Sequence, residues 1–206
     1  MVLSNHNSFV LATNNPDKVL EIKHVFSAAG LSLISPADLG LRINPEETGS
    51  TFEENSGIKA WETHKHLKEK GYNTYCVVAD DSGFEVDALG GQPGVDSALY
   101  LGEDKSFDER NAYILDKMRF EKNRKARFVC VITCIFPDGE ALVIRAEAEG
   151  EVAYSEKGND GFGYDPIFYV PEYGKTMAEL SLDKKNTISH RGKALKRLIK
   201  IIMERK

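Results

Sequence analysis

The most constraining stretch of this chain is Tyr75-Cys76-Val77-Val78-Ala79-Asp80-Asp81-Ser82-Gly83, an apolar run that ends on two adjacent carboxylates. Five residues without a polar interruption suit a strand covered on both faces, as in the interior of an α/β sheet. In open sheets of that kind, ligands collect just beyond the carboxyl ends of the strands. The sequence therefore predicts a buried central strand that stops at Asp80-Asp81 and opens into a site. The plainer reading is a strand followed by an Asp-Ser-Gly turn. Side chains alternate along a strand, so the two carboxylates must face opposite ways and do different work.

Composition narrows the class. With 206 residues and 41% hydrophobic content, the chain can bury roughly 70% of its unfolded surface in one good core, or in two lobes around a cleft. No window approaches the roughly 20 apolar residues that span a bilayer. Met1 to Ser8 has neither the basic end nor the apolar centre of a signal peptide, so a cytoplasmic location is expected. Cys76, Cys130 and Cys134 lie in apolar runs with no Cys-x-x-Cys pair, which predicts buried, reduced thiols and no zinc or disulfide framework. A net charge of -5 argues against a general nucleic-acid binder. It leaves room for a small anion held by a local basic cluster.

Taken in order, Phe9 to Ala12 reads as a strand running into Thr13-Asn14-Asn15-Pro16-Asp17-Lys18 and a helix that ends at Gly30. Asn15 suits the N-cap, Pro16 the first helical position, and Val19, Ile22, Val25 and Phe26 recur at helical spacing. Lys18 in the first turn opposes the helix dipole, which suggests that an anion shares the site. Leu31 to Ser35 reads as a second strand, followed by a loop that carries Glu46-Glu47. Thr51 to Glu54 forms a capping box opening a helix to about Lys70, with Ile58, Trp61 and Leu67 expected inward and its lysines outward. A second box, Ser106 to Glu109, opens a helix to about Met118.

Arg127 to Phe136, the Pro137-Asp138-Gly139 turn and Ala141 to Val152 predict a hairpin ribbon, which makes the sheet mixed. A glycine-rich loop around Phe162 and Tyr164, a strand at Ile167 to Val170 and a closing helix over Ser189 to Arg205 complete the chain. His190, Arg191 and Lys193 crowd the first turn of that helix, where acids are preferred, again pointing to an anion. The expected architecture is α/β, a mixed sheet flanked by helices and elongated into two lobes around a central cleft, with residues 1–206 forming one domain.

Chemistry gathers at Thr13 to Lys18, Glu46-Glu47, Asp80-Asp81-Ser82, Phe162 to Asp165, and Lys185 with His190-Arg191. Carboxylates can hold Mg²⁺ together with substrate phosphate oxygens, and a further carboxylate can activate water. Lysine and arginine neutralise phosphate, and an aromatic such as Phe162 can stack on a base.

Five blocks occur in order: Leu-Ala-Thr-Asn-Asn-Pro-Asp-Lys, Glu-Glu-Thr-Gly-Ser-Thr-Phe-Glu-Glu-Asn, Ala-Asp-Asp-Ser-Gly, Phe-Gly-Tyr-Asp-Pro-Ile-Phe and Ser-His-Arg-Gly-Lys-Ala-Leu. On these the chain resembles the inosine-triphosphate pyrophosphatase family from Val10 to about Leu195. The resemblance implies Mg²⁺-dependent cleavage of non-canonical purine nucleoside triphosphates (ITP, dITP, XTP) to the monophosphate and pyrophosphate, by a cytoplasmic homodimer. By the same resemblance, Thr13, Asn14, Asn15, Pro16, Asp17 and Lys18 grip the triphosphate. Glu46 or Glu47 and Asp81 serve the metal, and Asp81 accepts the proton. Ser82 contacts substrate, while Phe162, Gly163, Tyr164 and Asp165 line the base pocket with Phe162 stacking. Lys185, His190 and Arg191 contact phosphate and base. The chain departs from the pattern of bacterial relatives at Leu99, where an arginine is frequent, and at Asp160, where a small residue is usual. The nearest alternatives are a pyrophosphatase for modified pyrimidine nucleotides and a non-hydrolytic nucleotide sensor.

Overall fold

A computed structural model of the protein describes residues 8–205. The expectation about a leader in the first residues falls almost wholly outside them. Strand β1 (Ser8–Ala12) leads through a tight turn into helix α1 (Pro16–Ala28). The Asn15 side chain accepts hydrogen bonds from the backbone N–H groups of Asp17 and Lys18, and Pro16 occupies the first helical turn, as the sequence predicts. Next come β2 (Ser32–Ile34), a single 3₁₀ turn at Pro36–Leu39, and an irregular segment up to α2 (Phe52–Glu69). Both predicted capping boxes form, Thr51 with Glu54 before α2 and Ser106 with Glu109 before α3 (Phe107–Lys117).

Strand β3 (Cys76–Val86) is longer than the sequence suggested. It continues through Asp80, Asp81, Ser82 and Gly83 instead of turning there. Phe84 and Val86 beyond the acids are fully buried, and β4 (Pro93–Gly94) pairs with Phe84 and Glu85 in antiparallel fashion. Burial of those two side chains and the added ladder outweigh the turn preference of Asp-Ser-Gly. The hairpin of β5 (Lys125–Ile135) and β6 (Ala141–Val152) follows, then β7 (Phe168–Val170) and β8 (Lys175–Thr176). Two helices close the chain: α4 (Leu182–Ile188), which the sequence reading did not separate, and α5 (His190–Glu204).

The strand order is β2-β1-β3-β5-β6-β7-β8, with β4 beside β3. β1 runs parallel to β2 and β3, whereas β6, β7 and β8 pair in antiparallel fashion, so the sheet is mixed as expected. No described helix is long and apolar enough to cross a membrane.

By its packing the chain divides into two compact units. The first holds the residues up to Asp81, Cys130–Ala146, and Arg191 onward. Alternation along its strands decides what each helix meets. Phe9, Leu11, Cys76, Val78, Cys130 and Ile132 face Ile22 and Phe26 of α1 and Leu195, Leu198 and Ile202 of α5. Val10, Ala12, Val77, Ala79 and Ile135 pack with Ala60 and Leu67 of α2. The second unit, Ser82–Val129 with Glu147–His190, has its own core of Phe84, Val86, Phe128, Phe168, Ile114 and Met118. All three cysteines are buried and none forms a disulfide.

Candidate active site

In the first unit, Asp80 continues the face of β3 that meets α1 and α5. It is completely buried. Lys18 Nζ lies 2.5 Å from its Oδ1, and its Oδ2 accepts from Arg191 Nε at 2.9 Å and from the Cys130 thiol at 3.2 Å. Arg191 also donates through its NH1 group to Glu21 Oε2 at 2.5 Å. Two cations and two carboxylates therefore balance inside the fold. Burial alone would raise the pKa of Asp80, but Arg191 and Lys18 override it and hold the carboxyl well below its ordinary range. The same contacts correct one inference from the sequence. Lys18 and Arg191 oppose the dipoles of α1 and α5 because a buried carboxylate of the protein itself receives them, so their positions do not require an external anion.

Asp81, one residue on, continues the opposite face, which meets α2. Its Oδ1 accepts from Lys59 Nζ at 2.9 Å, and the same ammonium donates to Glu47 Oε2 at 2.7 Å. Lys59 is the site residue that sequence reasoning missed, because the lysines of α2 were expected to face outward. The buried set Phe52, Asn55, Ser56, Lys59, Ala60, Thr63, His64 and Leu67 runs at helical spacing, and the register leaves Trp61 about half exposed and Ile58 only partly covered. The apolar residues alone misled; the polar Asn55, Ser56 and Thr63 mark the inward face, and Ser56 hydrogen-bonds Thr133 on β5 at 2.8 Å. Both acids of the loop pair are exposed, and Glu47 is the one that reaches Lys59.

One ammonium thus serves two carboxylates, and Asp81 Oδ2 is buried without a hydrogen-bond partner. Burial raises the pKa of Asp81 to about 6, against the pull of Lys59 and Lys18 in the other direction. Among the described residues no three histidine, cysteine or acidic side chains converge as a self-sufficient metal cage. The donor set fits a cation such as Mg²⁺, which takes one or two protein carboxylates and completes its shell with water and substrate oxygens.

The β1–α1 turn is shaped by its own polar groups. Thr13 Oγ1 accepts from the Asn15 N–H at 3.2 Å, Asn14 donates to Asn44 at 2.9 Å, and the Asn15 side chain caps α1. Pro16 and Asp17 are exposed in the first turn, and Lys18 is partly exposed.

The second unit carries the aromatic loop. Asp165 Oδ2 accepts from the Phe162 N–H at 2.8 Å and from Lys185 Nζ at 2.5 Å, and that ammonium lies 4.8 Å from the centre of the half-buried Phe162 ring. Gly161 has a φ of +81°, and a Cβ there would lie 2.3 Å from the Asp165 carboxylate, so glycine is required. Tyr164 belongs to the core: its ring stacks on Phe84 at 5.1 Å and its hydroxyl donates to the Ser97 carbonyl at 2.7 Å. His190 is buried with its ring stacked on Phe128 at 4.7 Å. Ser82, the first residue of this unit, is partly exposed on β3.

A mixed α/β architecture with a strand-borne carboxylate of raised pKa beside a shared buried lysine is an arrangement suited to hydrolysis, in which a carboxylate activates water. The model of the Ham1 family matches residues 9–201, and the chain belongs to that family. It is 47% identical over 192 residues to a dITP/XTP pyrophosphatase of Clostridium perfringens, covering 92% of this chain and 94% of that one. A dITP/XTP pyrophosphatase of Thermus thermophilus is 48% identical over 192 residues, covering 92% and 89%. The solved Staphylococcus aureus Ham1 protein superposes with a TM-score of 0.84 at 43% identity, covering 97% of this chain and all of the other.

Proposed function

We propose that the protein hydrolyses non-canonical purine nucleoside triphosphates (ITP, dITP and XTP) to the monophosphate and pyrophosphate, and so removes them from the nucleotide pool. It is an enzyme of the pyrophosphatase class, like the relatives it matches. The observation that carries the reading is Asp81: a buried carboxylate oxygen without a partner, beside a second carboxylate, with one lysine for both.

In this reading Asp81 takes the proton of the attacking water. A pKa raised to about 6 leaves it ionised near neutrality yet basic enough to accept that proton. Lys59 fixes the Asp81 carboxylate through Oδ1 and leaves Oδ2 for the reaction. Asp81 and Glu47 would hold Mg²⁺, with Glu46 the other acid of the pair; bound there, the ion would offset charge on the phosphate oxygens. Thr13, Asn14, Asn15, Pro16, Asp17 and Lys18 are assigned to the triphosphate, since the start of α1 carries the positive end of the helix dipole and a lysine. Ser82 is assigned to substrate, as are Lys185, His190 and Arg191, with Arg191 anchored by Asp80 and Glu21. In the loop, Phe162 offers the stacking face, and Gly163, Tyr164 and Asp165 hold it in place.

Residues 1–206 are read as a single nucleotide pyrophosphatase domain. A cytoplasmic homodimer is proposed with it. A panel of nucleoside triphosphates assayed for pyrophosphate release with Mg²⁺ tests the reading; release from ITP, dITP and XTP well above that from ATP supports it, and no turnover on any of them would leave a nucleotide sensor instead.

A further inference from the structure

Helix α3 touches the aromatic loop through a residue that no sequence motif singled out. Asn111 is 1% exposed, and its Nδ2 donates to the Gly163 carbonyl at 3.1 Å. Its Oδ1 is buried with no hydrogen-bond partner. An amide buried with half of its capacity unmet weakens the fold relative to an apolar side chain of similar shape. A purely structural position would therefore favour leucine. What asparagine adds is a single donor, aimed at the loop that carries Phe162.

The rest of the loop shows what that donor controls. Gly163 has a φ of +67°, and its Cβ position faces the ring of Phe107, one helical turn before Asn111, at 3.6 Å. On the other side of Phe162, the backbone N–H of that residue is held by Asp165 Oδ2 at 2.8 Å. The Phe162 backbone is thus fixed before it by Asp165 and after it by Asn111. We infer that Asn111 is a positioning residue for the Phe162 platform and sets substrate affinity through the base and not through the phosphates. This rests on the reading of Phe162 as the surface on which the purine stacks.

The test measures binding of inosine monophosphate and of pyrophosphate by calorimetry to the parent protein and to Asn111→Leu, Asn111→Ala and Phe162→Ala. Losing one neutral hydrogen bond corresponds to roughly threefold to tenfold in affinity. Asn111→Leu should unfold at the same or a higher temperature, yet bind inosine monophosphate about that much more weakly, with pyrophosphate affinity unchanged; Asn111→Ala should show the same split. Unchanged inosine monophosphate binding in the folded Asn111 variants, or equal weakening of both ligands, overturns the assignment. Failure of both Asn111 variants to fold overturns it as well, since the residue would then be a requirement of the core. If Phe162→Ala itself binds inosine monophosphate normally, the stacking reading falls; if only the Asn111 variants are silent, the stacking reading stands and Asn111 alone is removed.

Discussion

Asp80 and Asp81 are consecutive on β3, yet Asp80 pairs with Lys18 and Arg191 while Asp81 pairs with Lys59. The alternation of the strand sends one carboxylate into a balanced network and the other into a cluster short of one positive charge. Two nearly identical substitutions should therefore have opposite consequences.

Asp80→Asn should act on stability. It leaves Lys18, Arg191 and Glu21 with an uncompensated buried positive charge, and breaking a buried network in this way costs about 3–5 kcal/mol. Because the folded pKa of Asp80 is depressed, its contribution is present above the ordinary carboxylate pKa of 3.8 and is lost as pH falls through the lower folded value. Urea unfolding at neutral pH measures the effect. A midpoint equal to that of the parent would show that the network contributes nothing.

Asp81→Asn should act on turnover. The amide keeps the shape but cannot accept the proton, and loss of a positioned base lowers the rate by about 10²–10⁴. Circular dichroism and the unfolding midpoint should stay close to those of the parent. Near-normal turnover in a folded variant would remove Asp81 from the reaction.

The pH profile should carry the same signature. Asp81 works as the carboxylate, so kcat/KM should fall as pH drops through about 6, the value to which burial raises it. Lys59 pulls that pKa down, so Lys59→Met should move the acid limb of the residual activity to higher pH. A limb that moves to lower pH, or does not move, would separate Lys59 from Asp81.

Phe162→Ala distinguishes a base platform from a core residue. Stacking on a purine is worth about 1–3 kcal/mol and is offered to every base. The variant should lose that much in kcat/KM for ITP and ATP alike, with their ratio little changed. A fall of roughly 3–5 kcal/mol in stability, with unchanged kinetics of the folded fraction, would instead mark Phe162 as core.

Much of the fold was legible because the local signals agreed. The Asn15-Pro16 start and both capping boxes sit where the sequence places them, and the hairpin turn at Pro137 to Gly139 joins β5 and β6. The failures share one physical cause, tertiary contact overriding a local preference. Asp-Ser-Gly reads as a turn, but the buried Phe84 and Val86 carry the strand onward. Lys59 reads as surface, but two carboxylates distant in sequence draw it inward. The charge of Lys18 and Arg191 reads as a demand for a ligand, because a helix start does not reveal that Asp80 from a third element will meet it. Asn111 gave no signal at all, since a single asparagine on a helix has no pattern until the loop it holds is in place.

The most direct measurement is the fate of ITP in water enriched in heavy oxygen, with Mg²⁺ present and the products separated and weighed by mass spectrometry. Attack at the α-phosphorus yields inosine monophosphate carrying the label together with unlabelled pyrophosphate. Inosine diphosphate and labelled orthophosphate as the primary products would place the attack at the γ-phosphorus and contradict the reaction proposed for Asp81.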